Sequence, residues 1–236
     1  MRKIQTYFRP EDFSDTSDRA YRIKEAFKNK IDTDEYPCVG AKSAMNTDQF
    51  RFGIYQDMGS PSTTSSLAND LQKYLQETID ADSQYMSMIA VFSDRVDTEL
   101  EFEKRLWAQL QALHDGESGD QVWDPAVSDD PESSNFSFSF HGQAFFVVGL
   151  HPHASRKARR FDECALAFNL HRQFEQLRDK EGYERMKAVI REREIAYQGS
   201  INPMLRDHGA GLEAPQYSGR AVGPDWKCPF LSKIRD

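Results

Sequence analysis

The sequence has few cysteines, and their positions exclude two common kinds of site. Only three occur in 236 residues, Cys38, Cys164 and Cys228, and they lie far apart. An odd number at such spacing does not form a disulfide framework, and without a CxxC pair a structural zinc site is not expected. The protein is therefore expected to work in a reducing cytoplasm.

Long apolar runs are also absent. The N-terminal stretch MRKIQTYFRPEDF has no apolar run of the kind a signal peptide needs, and no segment approaches the ~20 apolar residues of a membrane span. No GxGxxG fingerprint of a flavin or nicotinamide enzyme occurs. Since Lys and Arg (30) are outnumbered by Asp and Glu (38), the net charge of −8 argues against nucleic acid and anionic membranes as partners.

Aromatic residues, by contrast, are plentiful. Sixteen Phe supply ample material for a core, and no linker divides the chain, so residues 1–236 are expected to form one domain. Residues 1–16 are expected to be a loosely ordered N-terminal arm. The segment 114–135 is acidic and punctuated by Pro and Gly, which suits either a solvated loop or a lid.

Hydrophobic periodicity predicts the main elements. Helices are expected at 17–31, after the loop GSPSTTSS, from Thr98, at 170–180 and at 183–196, and strands in QFRFGIY, YMSMIAVF and the hairpin FSFSF-HGQ-AFFVVGL. The chain is expected to break around Cys38, where Pro37 and Gly40 interrupt regular structure. These elements indicate an α+β domain: a mixed or antiparallel sheet with a central hairpin, covered by helices on one side, then a long irregular C-terminal region.

The run HPHASRKARRF, His151 to Phe161, is the first candidate for a functional centre. It follows the second hairpin strand and places four cations, Arg156, Lys157, Arg159 and Arg160, within five positions. Crowded guanidinium groups suit a carboxylate or phosphate partner, and His151 suits a metal ligand or an acid–base group. A solvated basic turn beside a hydrogen-bonded histidine is an equally good interpretation.

The segment YPCVGAK is the second candidate. Backbone N–H groups of the small residues after Cys38 and the charge of Lys42 would stabilise a thiolate. Such a thiolate is a suitable axial ligand for haem iron, because it favours O–O cleavage. A small, buried, unreactive side chain is the commoner fate of a free cysteine.

The C-terminal third carries many polar residues in apolar company. Among them Glu213 is the acid of interest, since one carboxylate beside a pocket is what a cationic substrate needs. A structural hydrogen-bond network between this region and the sheet would use the same groups.

Several long strings together give a family resemblance. They are YPCVGAK, FEKRLWAQLQALHD, VWDPAVSDDPESSNFSFSF, FFVVGLHPHASRKARRF, FNLHRQFEQLR, QGSINPML, EAPQYSGR and WKCPF. Between Tyr36 and Phe230 the chain resembles the YqcI/YcgG family, which includes haem-dependent guanidine N-hydroxylases of D-cycloserine and guanitoxin biosynthesis. The resemblance implies a haem b enzyme of secondary metabolism that hydroxylates a guanidine or amine nitrogen, with L-arginine as the default substrate. A separate reductase with O₂, or peroxide, would supply the oxidising equivalents.

The resemblance also implies roles for individual residues. Cys38 is the preferred axial ligand of the iron, and His151, at the end of a rigid strand, is the alternative. Haem propionates would pair with the three arginines of the basic run, and Glu213 would pair with the substrate guanidinium. His153 and Arg220 are further candidates for the pocket. The three arginines that would pair with the propionates are Arg156, Arg159 and Arg160.

Two other functions remain open. One is a non-haem metal enzyme built on His151, His153 and His171, with Glu175 or Asp162 completing the ligand set. The other is a haem carrier or sensor without turnover. A homodimer is compatible with each of these interpretations.

Overall fold

The fold is built on one six-stranded mixed sheet. The computed structural model describes residues 5–81, 85–117, 122–178, 183–204 and 211–232. The strands are β1 (Tyr7–Phe8), β2 (Phe50–Tyr55), β3 (Ser87–Phe92), β4 (Phe138–Phe140), β5 (Gln143–Leu150) and β6 (Cys164–Leu170). Their order is β1-β2-β3-β6-β5-β4, and only the β2–β3 pair is parallel. The predicted α+β class with a mixed sheet is confirmed.

The helices lie on both faces of this sheet, not on one as predicted. They are α1 (Arg19–Ile31), α2 (Val39–Asn46), α3 (Pro61–Asp80), α4 (Glu99–Gly116), α5 (His171–Arg178), α6 (Tyr183–Gln198) and α7 (Ala214–Ser218). Alternation along β3 divides the core: Met88, Ala90 and Phe92 pack with α3 and α4, whereas Ile89 and Val91 pack with α1 and α2. These two sides are called the α4 face and the α2 face below.

The local signals that were read correctly have clear physical causes. The Thr98 side chain caps α4 by accepting a hydrogen bond from the Glu101 N–H at 3.1 Å. In the β4–β5 hairpin, His141 and Gly142 both have positive φ, 49° and 68°, as the tightest hairpin turns require. The hairpin lies at one end of the sheet, where β5 is flanked by β4 and β6, and not at its centre.

Four local expectations were wrong. The predicted N-terminal arm contributes β1, which pairs with β2, and the predicted loop at 61–66 forms the first turns of α3. Residues 39–46 are helical because Cys38 is the N-cap of α2, so the break predicted there is confined to the residues before it. Strand β6 was missed because its apolar residues lie on both faces and give no alternation.

The C-terminal region is mostly irregular, as predicted, and it is held to α4 by one buried carboxylate. Glu103 accepts hydrogen bonds from Ser218 Oγ at 2.8 Å, from Arg220 Nε and Nη2 at 3.1 and 2.6 Å, and from Trp226 Nε1 at 3.1 Å. The ring of Phe230 then packs among Trp107 and Trp123. These contacts fix residues 211–232 against the α4 face.

Candidate functional site

The α2 face contains an apolar cavity of about 310 Å³. Its floor is the side of β5 and β6 that belongs to the α2 face, where Val148, Leu150 and Ala167 contribute small or aliphatic side chains. The first turns of α2 form a wall with Gly40 and Ala41. The cavity falls at the lower end of the range of natural ligand pockets, about 300–1,000 Å³, and has the apolar lining that such pockets share.

Cys38 lies at the mouth of this cavity, at the N-terminus of α2. Its Sγ accepts a hydrogen bond from the Ala41 N–H at 3.4 Å, because Cys38 is the N-cap residue of the helix. Surrounding protein raises the pKa of the Cys38 thiol, whereas the amides of Ala41 and Gly40 and the guanidinium of Arg159 act to lower it. The effect of burial is the larger one, so the pKa is raised overall, although the three groups facing the sulfur would support its anion. The residue as a whole is exposed.

Arg159 brings a cation to the same cavity. Its Nη1 donates to the carbonyls of Gly149 at 3.2 Å and Tyr217 at 3.0 Å, and its Nη2 donates to that of Gln216 at 2.9 Å. Burial lowers the pKa of Arg159 to about 10, and the neighbouring Tyr36, Cys38 and Glu194 act to raise it. The guanidinium is thus fixed in place by neutral acceptors, without a hydrogen-bonded carboxylate among the described residues.

The other two arginines of the basic run, Arg156 and Arg160, hold the loop that carries them in place. Arg156 Nη2 donates to Glu194 Oε1 at 2.8 Å and to the Ser200 carbonyl at 2.7 Å. Arg160 Nε donates to the carbonyl of Ala154 at 3.1 Å. Of the three arginines assigned to propionates, Arg159 is the one that lines the cavity.

His151 lies on the other face of the sheet. Its ring is fully buried and stacks on Phe102 of α4 at a centroid distance of 4.3 Å. Neither ring nitrogen has a hydrogen-bond partner among the described residues, and burial lowers the pKa of His151 to about 4. Cys38 and His151, the two candidate iron ligands, are therefore separated by the sheet and do not share a site.

The three histidines of the non-haem alternative are not brought together. In the β5–β6 register Leu150 pairs with Ala165, and Phe145 pairs with Leu170. Since a strand rises about 3.4 Å per residue, His151 and His171 are separated by roughly 24 Å along the strands, at opposite ends of the β5–β6 pair. Within the described ranges no group of three His, Cys, Asp or Glu side chains is placed to hold a metal ion.

His153 lines a second, more polar cavity of about 610 Å³. Asp162, one of the predicted carboxylate ligands, lines it too. Two of its other acids already have partners, since Glu163 pairs with Arg19 at 3.3 Å and Asp94 Oδ1 with Arg105 at 2.6 Å. This cavity is separate from the one that Cys38 lines.

Glu213, the predicted guanidinium partner, does not line the Cys38 cavity. Its Oε1 accepts hydrogen bonds from Ser137 Oγ and Tyr217 Oη, both at 2.7 Å, so the carboxylate ties α7 to the hairpin. Arg220, the other predicted pocket residue of this region, is paired with Glu103. The structure thus gives both residues packing contacts between the C-terminal region and the rest of the fold.

Residues 27–231 match the sequence pattern of the YqcI/YcgG family. The chain belongs to the YqcI/YcgG family. It is 30% identical to the protein YqcI of Bacillus subtilis (strain 168) over 209 residues, which are 84% of this chain and 81% of YqcI. It is 28% identical to YcgG of the same organism over 211 residues, 84% of this chain and 82% of YcgG. Both relatives are described as uncharacterized, and no solved structure matches the chain.

The residues that match the family cover most of the described fold. The matched residues begin within α1 and extend past Phe230, so they include both candidate iron ligands, the whole lining of the Cys38 cavity and all of the His153 cavity lining except Arg19. None of the helices in the described ranges has the length and apolar content needed to span a membrane.

Sequence reasoning missed one acid that lines the Cys38 cavity, Glu194 of α6. It lies in the charged stretch REREIAYQ, which reads as a solvated helix face. The structure buries it, with 9% of the residue exposed. No local pattern marks this acid, because its burial depends on packing between α6 and the loop that carries Arg156.

Proposed function

We propose that this YqcI/YcgG family member is a haem-dependent oxygenase that hydroxylates a guanidine or amine nitrogen, with L-arginine as the default substrate. The observation that carries the proposal is the position of Cys38, whose thiol opens onto an apolar cavity from a helix N-terminus. Haem b, when bound there, would supply the activation of O₂ or peroxide. Electrons would come from a separate reductase unless peroxide is the oxidant.

The residues around the cavity suit a flat, apolar cofactor. From Phe146 to Leu150 the β5 floor spans five residues, whose four steps cover roughly 14 Å at about 3.4 Å per residue. On α2, Gly40, Ala41 and Ala44 contribute a wall of small residues, and the larger side chains of Phe27 and Met45 complete the lining on this side. A planar ring between a strand floor and a wall of small residues would be shielded from water on both faces.

Cys38 would hold the iron. A thiolate is the form that binds metal, and metal binding deprotonates a thiol whose pKa is otherwise raised. The Ala41 N–H would then remain directed at the ligating sulfur, and hydrogen bonds to a ligating sulfur tune the iron in haem-thiolate proteins. Arg159 would face a propionate, because its charge lies at the cavity wall without a hydrogen-bonded carboxylate.

The experiment is a haem-binding measurement with three cysteine variants. Wild-type protein produced with iron and a haem precursor is expected to be red, and its ferrous–CO form is expected to absorb at the long wavelength of thiolate ligation. Cys38→Ala should lose the haem, and Cys38→Ser should lose the thiolate spectrum. Cys228→Ser, which removes a partly buried thiol packed on the α4 face, is the matched control and should keep both.

Two results would contradict the proposal. A colourless protein that binds no added hemin would remove the haem, and an imidazole-type spectrum retained in Cys38→Ala would transfer the ligand role to a histidine. Hemin binding without any hydroxylated product from L-arginine, agmatine or guanidine, with reductant or peroxide, would favour a haem carrier or sensor.

A further inference from the structure

Glu194 is a buried carboxylate with only one oxygen in use. Its Oε1 accepts a hydrogen bond from Arg156 Nη2 at 2.8 Å. Its Oε2 is inaccessible to solvent, and none of the residues that the structure describes donates a hydrogen bond to it. Buried polar atoms in folded proteins are almost always paired, so an unpaired carboxylate oxygen needs an explanation.

Glu103 shows what a purely structural acid looks like in the same molecule. Both of its oxygens are satisfied, by four donor atoms from Ser218, Arg220 and Trp226. Glu194 is comparably buried but keeps acceptor capacity that the described protein does not use. A ligand that is not part of the chain would supply the missing hydrogen-bond donor to Glu194.

The position of Glu194 indicates where that group would lie. Among the described residues that line the Cys38 cavity, Glu194 is the one carboxylate and Arg159 the one cation. Arg159 donates its hydrogen bonds to three backbone carbonyls and makes none to Glu194. A ligand with several N–H donors and a positive charge is the natural partner of a spare carboxylate oxygen in apolar surroundings.

We propose that Glu194 binds the cationic nitrogen group of the ligand, a guanidinium or an ammonium, through Oε2. Arg156 is the positioning residue, since its Nη2 donates a hydrogen bond to the other oxygen at 2.8 Å. This proposal rests on the proposed function for the identity of the cavity's cofactor, and it assigns to Glu194 the role that the sequence suggested for Glu213.

The test compares a cationic ligand with its neutral isostere. Calorimetry on hemin-loaded protein would measure the dissociation constants of L-arginine, agmatine and citrulline for wild type and Glu194→Gln. The variant keeps an acceptor for Arg156 but loses the charge, so binding of arginine and agmatine should weaken by about 10- to 100-fold. Citrulline, whose ureido group is neutral, should change less than threefold or so.

Two further variants separate this role from a loss of folding. Glu192→Gln removes an exposed acid from the same helix and should leave every affinity unchanged. Glu194→Asp keeps the charge on a shorter side chain and should recover part of the arginine affinity. The thermal unfolding midpoint of each variant checks that the cavity is still formed.

The outcomes distinguish this proposal from the haem assignment. Equal arginine affinity in wild type and Glu194→Gln, or no binding of any cationic ligand by the wild type, would overturn the role of Glu194. If the protein takes up no hemin but still binds arginine, and this binding depends on Glu194, the role of Glu194 is supported and the haem assignment is overturned.

Discussion

The two faces of the sheet treat buried polar groups differently. On the α4 face, Glu103 and Glu213 are surrounded by donors and tie α4, α7 and the C-terminal region into one unit. On the α2 face, Glu194 keeps an unused oxygen beside an open apolar cavity. The same strands therefore serve a closed structural core on one side and a ligand-sized space on the other.

Gly149 and Gly40 show the same contrast in steric terms. A methyl group added at Gly149 would lie 2.5 Å from the Phe102 ring and 2.9 Å from the Tyr217 carbonyl oxygen. One added at Gly40, in the wall of the cavity, would have no atom within 4 Å. The packing of the α4 face leaves no room for a methylene, whereas the α2 face has unfilled volume.

The largest stability effect is expected from Glu103→Gln. This change leaves the Arg220 guanidinium without its anionic partner in a mostly buried position, which should lower the free energy of unfolding by about 3 kcal/mol. Urea denaturation would measure it. Glu194→Gln also removes the charge facing a buried guanidinium, that of Arg156, but its amide oxygen keeps that hydrogen bond. Its NH2 group meets no donor from the described residues, so the loss should be smaller, about 1–2 kcal/mol. Equal losses in the two variants would remove the distinction between a saturated and a spare carboxylate.

Gly149→Ala should be nearly as damaging. The added methyl group forces Phe102 and the Tyr217 backbone apart, and overpacking of this kind costs about 1–3 kcal/mol. The thermal midpoint and the urea midpoint should both fall. An unchanged stability would mean that Phe102 and the Tyr217 backbone can move apart at little cost in free energy.

The stability of the α4 face should also depend on pH through His151. Its pKa is about 4 in the fold and near 6.5 in the unfolded chain, so only the unfolded state takes up the proton at mildly acidic pH. Stability is therefore fully present above about pH 6.5 and is lost as the pH falls toward 4. Between pH 7 and pH 5 the loss attributable to this group should be about 1–2 kcal/mol.

His151→Phe checks this directly. Phenylalanine keeps the stacking on Phe102 and cannot be protonated, so the variant should lose less stability than wild type over the same pH interval. Parallel pH profiles for the two proteins, measured by urea denaturation, would show that His151 does not titrate on unfolding.

The smallest effect is expected from Gly40→Ala, and it should have the opposite sign. Alanine in the first turn of α2 meets no atom and reduces the freedom of the unfolded chain, which should stabilise the protein by about 0.5–1 kcal/mol. The same methyl group intrudes on the cavity, so hemin affinity should fall. A stabilised variant with unchanged hemin affinity would place the ligand away from the α2 wall.

The sequence predicted the elements that carry a local signal and missed those that depend on context. Helices α1 and α4, strand β2 and the hairpin have clear periodicity, caps or turn residues. Strand β6 has apolar residues on both faces, and α2 is composed of small residues that follow Pro37. Neither pattern distinguishes a strand or a helix from a loop without the neighbours that pack against it.

The candidate site was predictable in part for the same reason. Cys38 was identified from the chemistry of its segment, and Arg159 from the density of cations around it, and both line one cavity. That Cys38 and His151 lie on opposite faces of the sheet could not be read from the sequence, because a shift of one residue along a strand reverses the face. Glu194 and Glu213 both occur in segments that mix charged and apolar residues. Only the folded structure shows that Glu194 lines the cavity with one oxygen unpaired among the described residues, and that Glu213 does not line it.

The two outermost strands of the sheet are its shortest, with two residues in β1 and three in β4. β1 covers part of β2, a six-residue strand rich in aromatic and aliphatic side chains. Edge strands of that length and composition pair readily with other chains when they are left open, and very short outer strands limit such pairing. A shortened protein that begins after Phe13 would uncover the outer edge of β2, so it is expected to associate with other chains more readily than the full-length chain.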